Sequence, residues 1–261
     1  MFTLEGKRAM VCGSTQGIGR ACALEFARLG AQVTLVARHL EGLEKVRAEL
    51  AANHDQSHDF ICVDFADWIA LQKQANEFAA AHGPIHILLN NTGGPPAGPA
   101  FEAQPDDYVK AMTQHVVCNQ VLVQAVAAGM RDAKYGRIIN IISTSVLMPI
   151  KGLGVSNTVR AAVANWARTL AAELGPFGIT VNNVLPGYTA TARLDSLIKG
   201  RASRAGVSSD EVQRDMMASI PARRFGQPQE IAAVAAFLAS PAASYVNGAN
   251  LPVDGGRLAA S

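Results

Sequence analysis

No two of the four cysteines, Cys12, Cys22, Cys62 and Cys118, stand in a C-x-x-C pair. Thiols scattered in this way exclude a disulfide frame or a cysteine metal cluster and point to reduced, buried side chains. Long apolar runs are also lacking. Stretches such as IAAVAAFLA at 231–239 are far too short to span a bilayer. Charge is scarce: charged residues make up 17% of the chain and the net charge is +2, so nothing global favours nucleic acid or an anionic membrane. The amino-terminal MFTLEGKRAMVCG carries no long apolar segment ahead of a small-residue cleavage site, which predicts no signal peptide. Linkers, repeats and low-complexity tracts are absent too. Together these absences predict a soluble, cytoplasmic protein.

What is present is a core. Hydrophobic residues form 49% of 261 residues, which suits one large domain over 1–261. Short β-branched runs at 8–12, 32–37, 59–63, 85–89, 137–142, 179–184 and 249–253 read as strands. Most are apolar on both faces, as in a buried parallel sheet. Helical patterns lie between them at about 17–29, 40–52, 67–81, 105–131, 156–174 and 227–239. The rhythm predicts an α/β fold with a doubly wound parallel sheet of about seven strands. In GLGVSNTVRAAVAN (152–165), Ser156 or Asn157 suits the capping position of a helix, with Arg160 four residues after Ser156 on the same face.

Two segments break the rhythm. NTGGPPAGP (91–99) is a Gly/Pro-rich loop directly after a strand, and 190–226 is a polar insertion rich in cations: Arg193, Lys199, Arg201, Arg204, Arg214, Arg223 and Arg224. Loops beyond strand carboxyl ends form the ligand crevice of such sheets, so the insertion reads as a helical lid, with solvated surface helices as the alternative.

After the first strand comes Gly13-Ser14-Thr15-Gln16-Gly17-Ile18-Gly19, then a helix. Glycines there permit a tight turn and close approach to phosphate, and the helix start offers N–H groups and a positive dipole end to a pyrophosphate. The second strand ends in Ala37-Arg38, without the acidic residue that would hold a ribose 2′-hydroxyl. A guanidinium there pairs with a 2′-phosphate, which favours NADP(H) over NAD(H). His54 and His58, spaced i, i+4 beside Asp55 and Asp59, lie in a polar loop and read as no metal site.

The spacing Gly13-x-x-x-Gly17-x-Gly19, with NNTG at 90–93 and PG at 186–187, resembles the short-chain dehydrogenase/reductase family. GRIIN (136–140), ELGPFGITVNNVLPG (173–187) and VDGG (253–256) are most similar to its 3-oxoacyl-acyl-carrier-protein reductase-like branch. The resemblance runs from about residue 4 to residue 256. It implies a Rossmann fold, a nicotinamide cofactor, a small-molecule carbonyl or alcohol substrate and a homotetramer or homodimer. By the same resemblance Asp64 contacts adenine, Asn91 and Gly93 neighbour the cofactor ribose, and Pro186, Gly187, Thr189 and Thr191 border the nicotinamide.

The family's catalytic group is an Asn, a Ser, a Tyr and a Lys. Here Ser143 falls at the serine position, but Ser156 stands where tyrosine is expected, Arg160 where lysine is expected, and His115 at the asparagine position, with Asn119 one turn on. Serine is far less acidic than tyrosine, and arginine does not give up its proton in any ordinary sense. The proton then comes from His115 through a water or Ser156, from bulk water, or from the substrate. Arg160 offers a planar fork for a carboxylate or phosphate, which suggests an anionic substrate or a contact with the cofactor ribose. The expectation is an NADP(H)-dependent oxidoreductase with an altered catalytic set. A catalytically inactive NADP-binding sensor and a non-redox isomerase or dehydratase are the alternatives.

Overall fold

The computed structural model describes residues 2–52 and 56–260. His54 and Asp55 lie outside them. Seven strands, β1 (Arg8–Cys12), β2 (Gln32–Ala37), β3 (Asp59–Cys62), β4 (Ile87–Asn90), β5 (Gly136–Ile141), β6 (Ile179–Pro186) and β7 (Asn250–Val253), pair in the order β3-β2-β1-β4-β5-β6-β7. Every pairing is parallel. Helices α1 (Gly17–Arg28), α2 (Leu40–Glu49), α3 (Trp68–His82), α4 (Pro105–Met112), α5 (Cys118–Asp132), α6 (Gly154–Leu174), α7 (Ala192–Ala205), α8 (Ser209–Ala218) and α9 (Pro228–Ala239) surround it.

The strands are apolar throughout because alternate side chains enter different cores. Ala9 and Val11 pack with Phe26 of α1 and Ala235 of α9, while Met10 and Cys12 pack with Leu71 of α3 and Leu122 of α5. Burying both faces removes the polar alternation of a half-exposed sheet. Each fully buried Leu, Ile or Phe stabilises the fold by about 1.5–3 kcal/mol before chain entropy is counted. One polar row crosses the second core. Asn90, Asn140, Asn183 and Asn250 are register partners on four adjacent strands. Each of the first three donates its side-chain amide to the next, at 2.9, 2.9 and 2.8 Å.

The chain leaves β1 for β2 and β3 on one side and returns to β4 on the other, so the loops after β1 and β4 part at the sheet's switch point. Two local readings need correction. α6 begins at Gly154 behind Leu153, with no side-chain cap; Ser156 lies inside the first turn, and Asn157 instead brackets Ile150, donating to its carbonyl at 3.0 Å. The helix expected over 105–131 is interrupted by a π-helical turn at Thr113–Val117, with His115 at its middle. Such turns recur at functional sites.

Candidate active site

A crevice of about 900 Å³ opens above the carboxyl ends of the strands. That size suits a cofactor and a small substrate. Its first wall is the loop after β1. Gly13 and Gly17 adopt φ values of +58° and +54°, where a side chain is strained. A Cβ on Gly13 would stand 2.5 Å from the Asn91 carbonyl oxygen, and one on Gly19 would run into the Gly13 carbonyl. The turn is held from behind: the Asn91 side chain donates to the carbonyls of Cys12 at 3.2 Å and Gly13 at 3.3 Å. No side chain caps α1, and no acidic residue sits in its first turn. Its opening N–H groups therefore face the crevice ready for an anion. These features fit the pyrophosphate of a dinucleotide.

Gly13, Thr15, Gln16, Gly17 and Ile18 line this wall, with Arg38 at its edge. Ser14 is fully buried behind it, and Gly19 packs beneath. Arg38 pairs across 3.6 Å with Asp64, both largely exposed, a geometry worth little in water. Asp64 itself stays outside the crevice and accepts from Ala66 N–H at 2.9 Å. Asn91 and Gly93 line the floor, and Pro186, Gly187, Thr189 and Thr191 the opposite rim. Thr191 also caps α7.

The second wall is built from β5 and α6. Ser143, at the end of β5, accepts from Ser145 N–H at 3.0 Å, which fixes its Oγ at the crevice edge. Ser156 and Arg160, one turn apart on α6, face the same space. Arg160 donates to the Ile141 carbonyl at 2.8 Å. Burial, followed by the charge of Arg193, pushes its guanidinium down to about 10. It remains a cation at neutral pH.

His115 is brought to this region but not into it. The π-turn buries the ring to 2% exposure behind the crevice, where Nδ1 is hydrogen-bonded to the Thr92 hydroxyl at 2.7 Å and Nε2 has no partner. Burial first, then Arg160 and Arg193, pushes it down to about 3, with the Gly93 backbone opposing in part. Asn119 is also buried and does not line the crevice.

Two contributors were not singled out by the sequence reading. Of the seven lid cations only Arg193 lines the crevice, reaching 98 residues back to the Pro95 carbonyl. Its place two residues after Thr191, at the start of a helix, was the available signal. Tyr188 also lines the crevice, but its hydroxyl accepts from Arg201 at 3.4 Å. The insertion does form a helical cover: α7 and α8 pack through Leu194, Ile198 and Met216. No group of three His, Cys, Asp or Glu suited to a metal occurs among the described residues, nor any helix long and apolar enough to cross a membrane.

Residues 13–257 match the family described as Enoyl-(Acyl carrier protein) reductase. The chain is 34% identical to 3-oxoacyl-(acyl-carrier-protein) reductase FabG of Pseudomonas aeruginosa, over 98% of each chain. It is 28% identical to NADPH-dependent reductase BacG of Bacillus subtilis, over 97% of this chain and 98% of that one. It superposes on L-sorbose reductase from Gluconobacter frateurii complexed with NADPH and L-sorbose, with a TM-score of 0.91, 28% identity and 98% coverage of both chains. Glycine turn, parallel sheet and full-length kinship agree, and the chain belongs to the short-chain dehydrogenase/reductase family of oxidoreductases.

Proposed function

We propose that the protein is an NADP(H)-dependent reductase of a carbonyl group, working with Ser143, Ser156 and Arg160 in place of the family's usual set. The observation that carries this reading is that all three line the same crevice as the Gly13–Gly19 turn. Arg38 at the end of β2, with no acidic residue there, supports NADP(H), as do the NADPH-dependent relative and the NADPH-bound neighbour.

A nicotinamide held in this crevice would supply a hydride for a carbonyl carbon. The hydroxyls of Ser143 and Ser156 donate hydrogen bonds to the carbonyl oxygen, and the Arg160 charge stabilises the negative charge that builds there. The proton for that oxygen comes from water in the open crevice. His115 is neutral at physiological pH and walled off behind Thr92, so the acid role read for it from the sequence has no support. Ser156 lacks the acidity. Thr92, which lines the crevice, links it to His115.

The test is NADPH oxidation against a panel of ketones, quinones and keto acids, beside a Ser156→Tyr/Arg160→Lys variant. Turnover by the native protein is expected, with a higher rate on neutral ketones in the variant, where a tunable phenol returns. Tight NADPH binding with no turnover on any carbonyl would instead leave a nucleotide-binding protein. A homotetramer or homodimer is part of the proposal. Val109, Met112 and Val117 form an exposed apolar strip on and just beyond α4, and sedimentation measures the state.

A further inference from the structure

The crevice holds four arginines, Arg20, Arg38, Arg160 and Arg193, and no aspartate or glutamate lines it among the described residues. Two of the four have partners outside it: Arg20 pairs with Glu49 and Arg38 with Asp64. Arg160 and Arg193 have no carboxylate partner among the described residues. Each is held only by a backbone carbonyl, Ile141 for the first and Pro95 for the second. Both converge on one point. A Cβ placed on Gly94 would lie 3.1 Å from Nη2 of Arg193 and 3.6 Å from Nη2 of Arg160. The absent side chain of Gly94 keeps the space between the two forks open.

Two guanidinium groups, partly removed from water and close to each other, repel and lose solvation at once. Both are pushed down from the ordinary arginine range, by burial and, for Arg160, by Arg193. Nothing in the fold requires this pairing, because each contact to a carbonyl is satisfied by one nitrogen. An anion between the forks removes the repulsion and accepts several charge-assisted hydrogen bonds in one plane. The cofactor phosphates already have a cradle at the Gly13–Gly19 turn and at Arg38. The second pair lies instead beside Ser156, one turn before Arg160 on α6.

We propose that Arg160 and Arg193 form a carboxylate subsite, so that the substrate is an oxo acid whose free carboxylate docks between α6 and α7 while its carbonyl meets Ser143 and Ser156. The substrate class rests on the reductase reading; the anion subsite does not. Arg193 is the specificity residue, and Gly94 the gap that admits the ligand.

The experiment uses malonate as an unreactive probe, with malonamide as its neutral counterpart, on the NADP-saturated full chain. Calorimetry is expected to find malonate binding and malonamide not, at matched ionic strength. Arg193→Gln weakens malonate about tenfold or more and leaves the NADPH dissociation constant unchanged. Lys199→Gln, on the same helix but outside the crevice, leaves malonate binding unchanged. Gly94→Asp places a carboxylate between the forks, raises the melting temperature and abolishes malonate binding.

Equal affinity for malonate and malonamide overturns the proposal. So does a loss of NADPH affinity in Arg193→Gln as large as the loss for malonate, which would give the pair to the cofactor. If Gly94→Asp fails to fold, the Arg193→Gln and Lys199→Gln titrations decide alone. Arginine-dependent malonate binding without NADPH turnover on any oxo acid would sink the reductase reading and leave the subsite standing.

Discussion

On the β1 side the crevice-facing groups belong to the backbone: a turn of glycines, the opening N–H groups of α1, and Asn91 bracing them from behind. On the β5 side they are side-chain atoms, Ser143 Oγ, Ser156 and Arg160, carried by a strand end and a helix that would stand in the same place with other residues on them. The first wall is specified by sterics, since a single added Cβ collides with a carbonyl. The second is specified by chemistry alone. A backbone-built site therefore persists with the fold, whereas a side-chain-built site is free to change reagents without moving an atom of the frame.

The sharpest way to break that contrast is to put a side chain on the first wall. Gly19→Val forces the Gly13 carbonyl aside, and NADPH affinity, followed by nucleotide fluorescence, is expected to fall by about 100-fold or more. The second wall should respond in rate and not in binding. Ser143→Ala is expected to lower kcat by about 10²-fold with the NADPH dissociation constant unchanged, in steady-state kinetics and titration. An equal loss in both quantities would erase the distinction between the walls. Smaller still, Arg38→Ala is expected to lower the preference for NADPH over NADH by about tenfold in kcat/KM ratios, because the guanidinium is exposed and works partly in water.

The least effect on turnover is expected at His115. Its folded pKa of about 3 lies below the ordinary 6.5, so the fold keeps the ring neutral. Above pH 6.5 folded and unfolded chains both hold it neutral, and this group gives stability no slope. As pH falls from 6.5 towards 3 the unfolded chain takes up a proton that the fold refuses, and stability drops by up to about 1.4 kcal/mol per pH unit. His115→Asn is expected to reduce that slope in denaturant titrations between pH 7.5 and 5. His86, also pushed down by burial, leaves a residual slope of the same sign.

The frame was legible in the sequence because both faces of each strand are buried, which produces unbroken apolar runs at the right spacing. The glycine turn was legible for the same kind of reason: sterics restrict which residue fits. What stayed hidden was set by packing between distant segments. Nothing local marks the π-turn at Thr113–Val117, so His115 read as a candidate acid of the site when it is turned to Thr92. Ser156 looked like a cap, yet α6 starts two residues earlier behind Leu153, an apolar residue without a capping group. Seven lid cations are equivalent on paper, and only the approach of the Pro95 loop selects Arg193.

The row of asparagines from Asn90 to Asn250 bears on how accurately the floor and the second wall are placed. Side chains alternate along a strand, so a one-residue slip of β5 would present Ile139 or Ile141 to the amides of Asn90 and Asn183 and leave them unpaired in an apolar core. Hydrophobic collapse alone tolerates such a slip, because the neighbours are equally greasy. The amides do not, and they act as an index mark proofread on four strands at once. The crevice loops after β4, β5 and β6 hang directly from those strands, so their tolerance is inherited from a set of polar contacts buried beneath them.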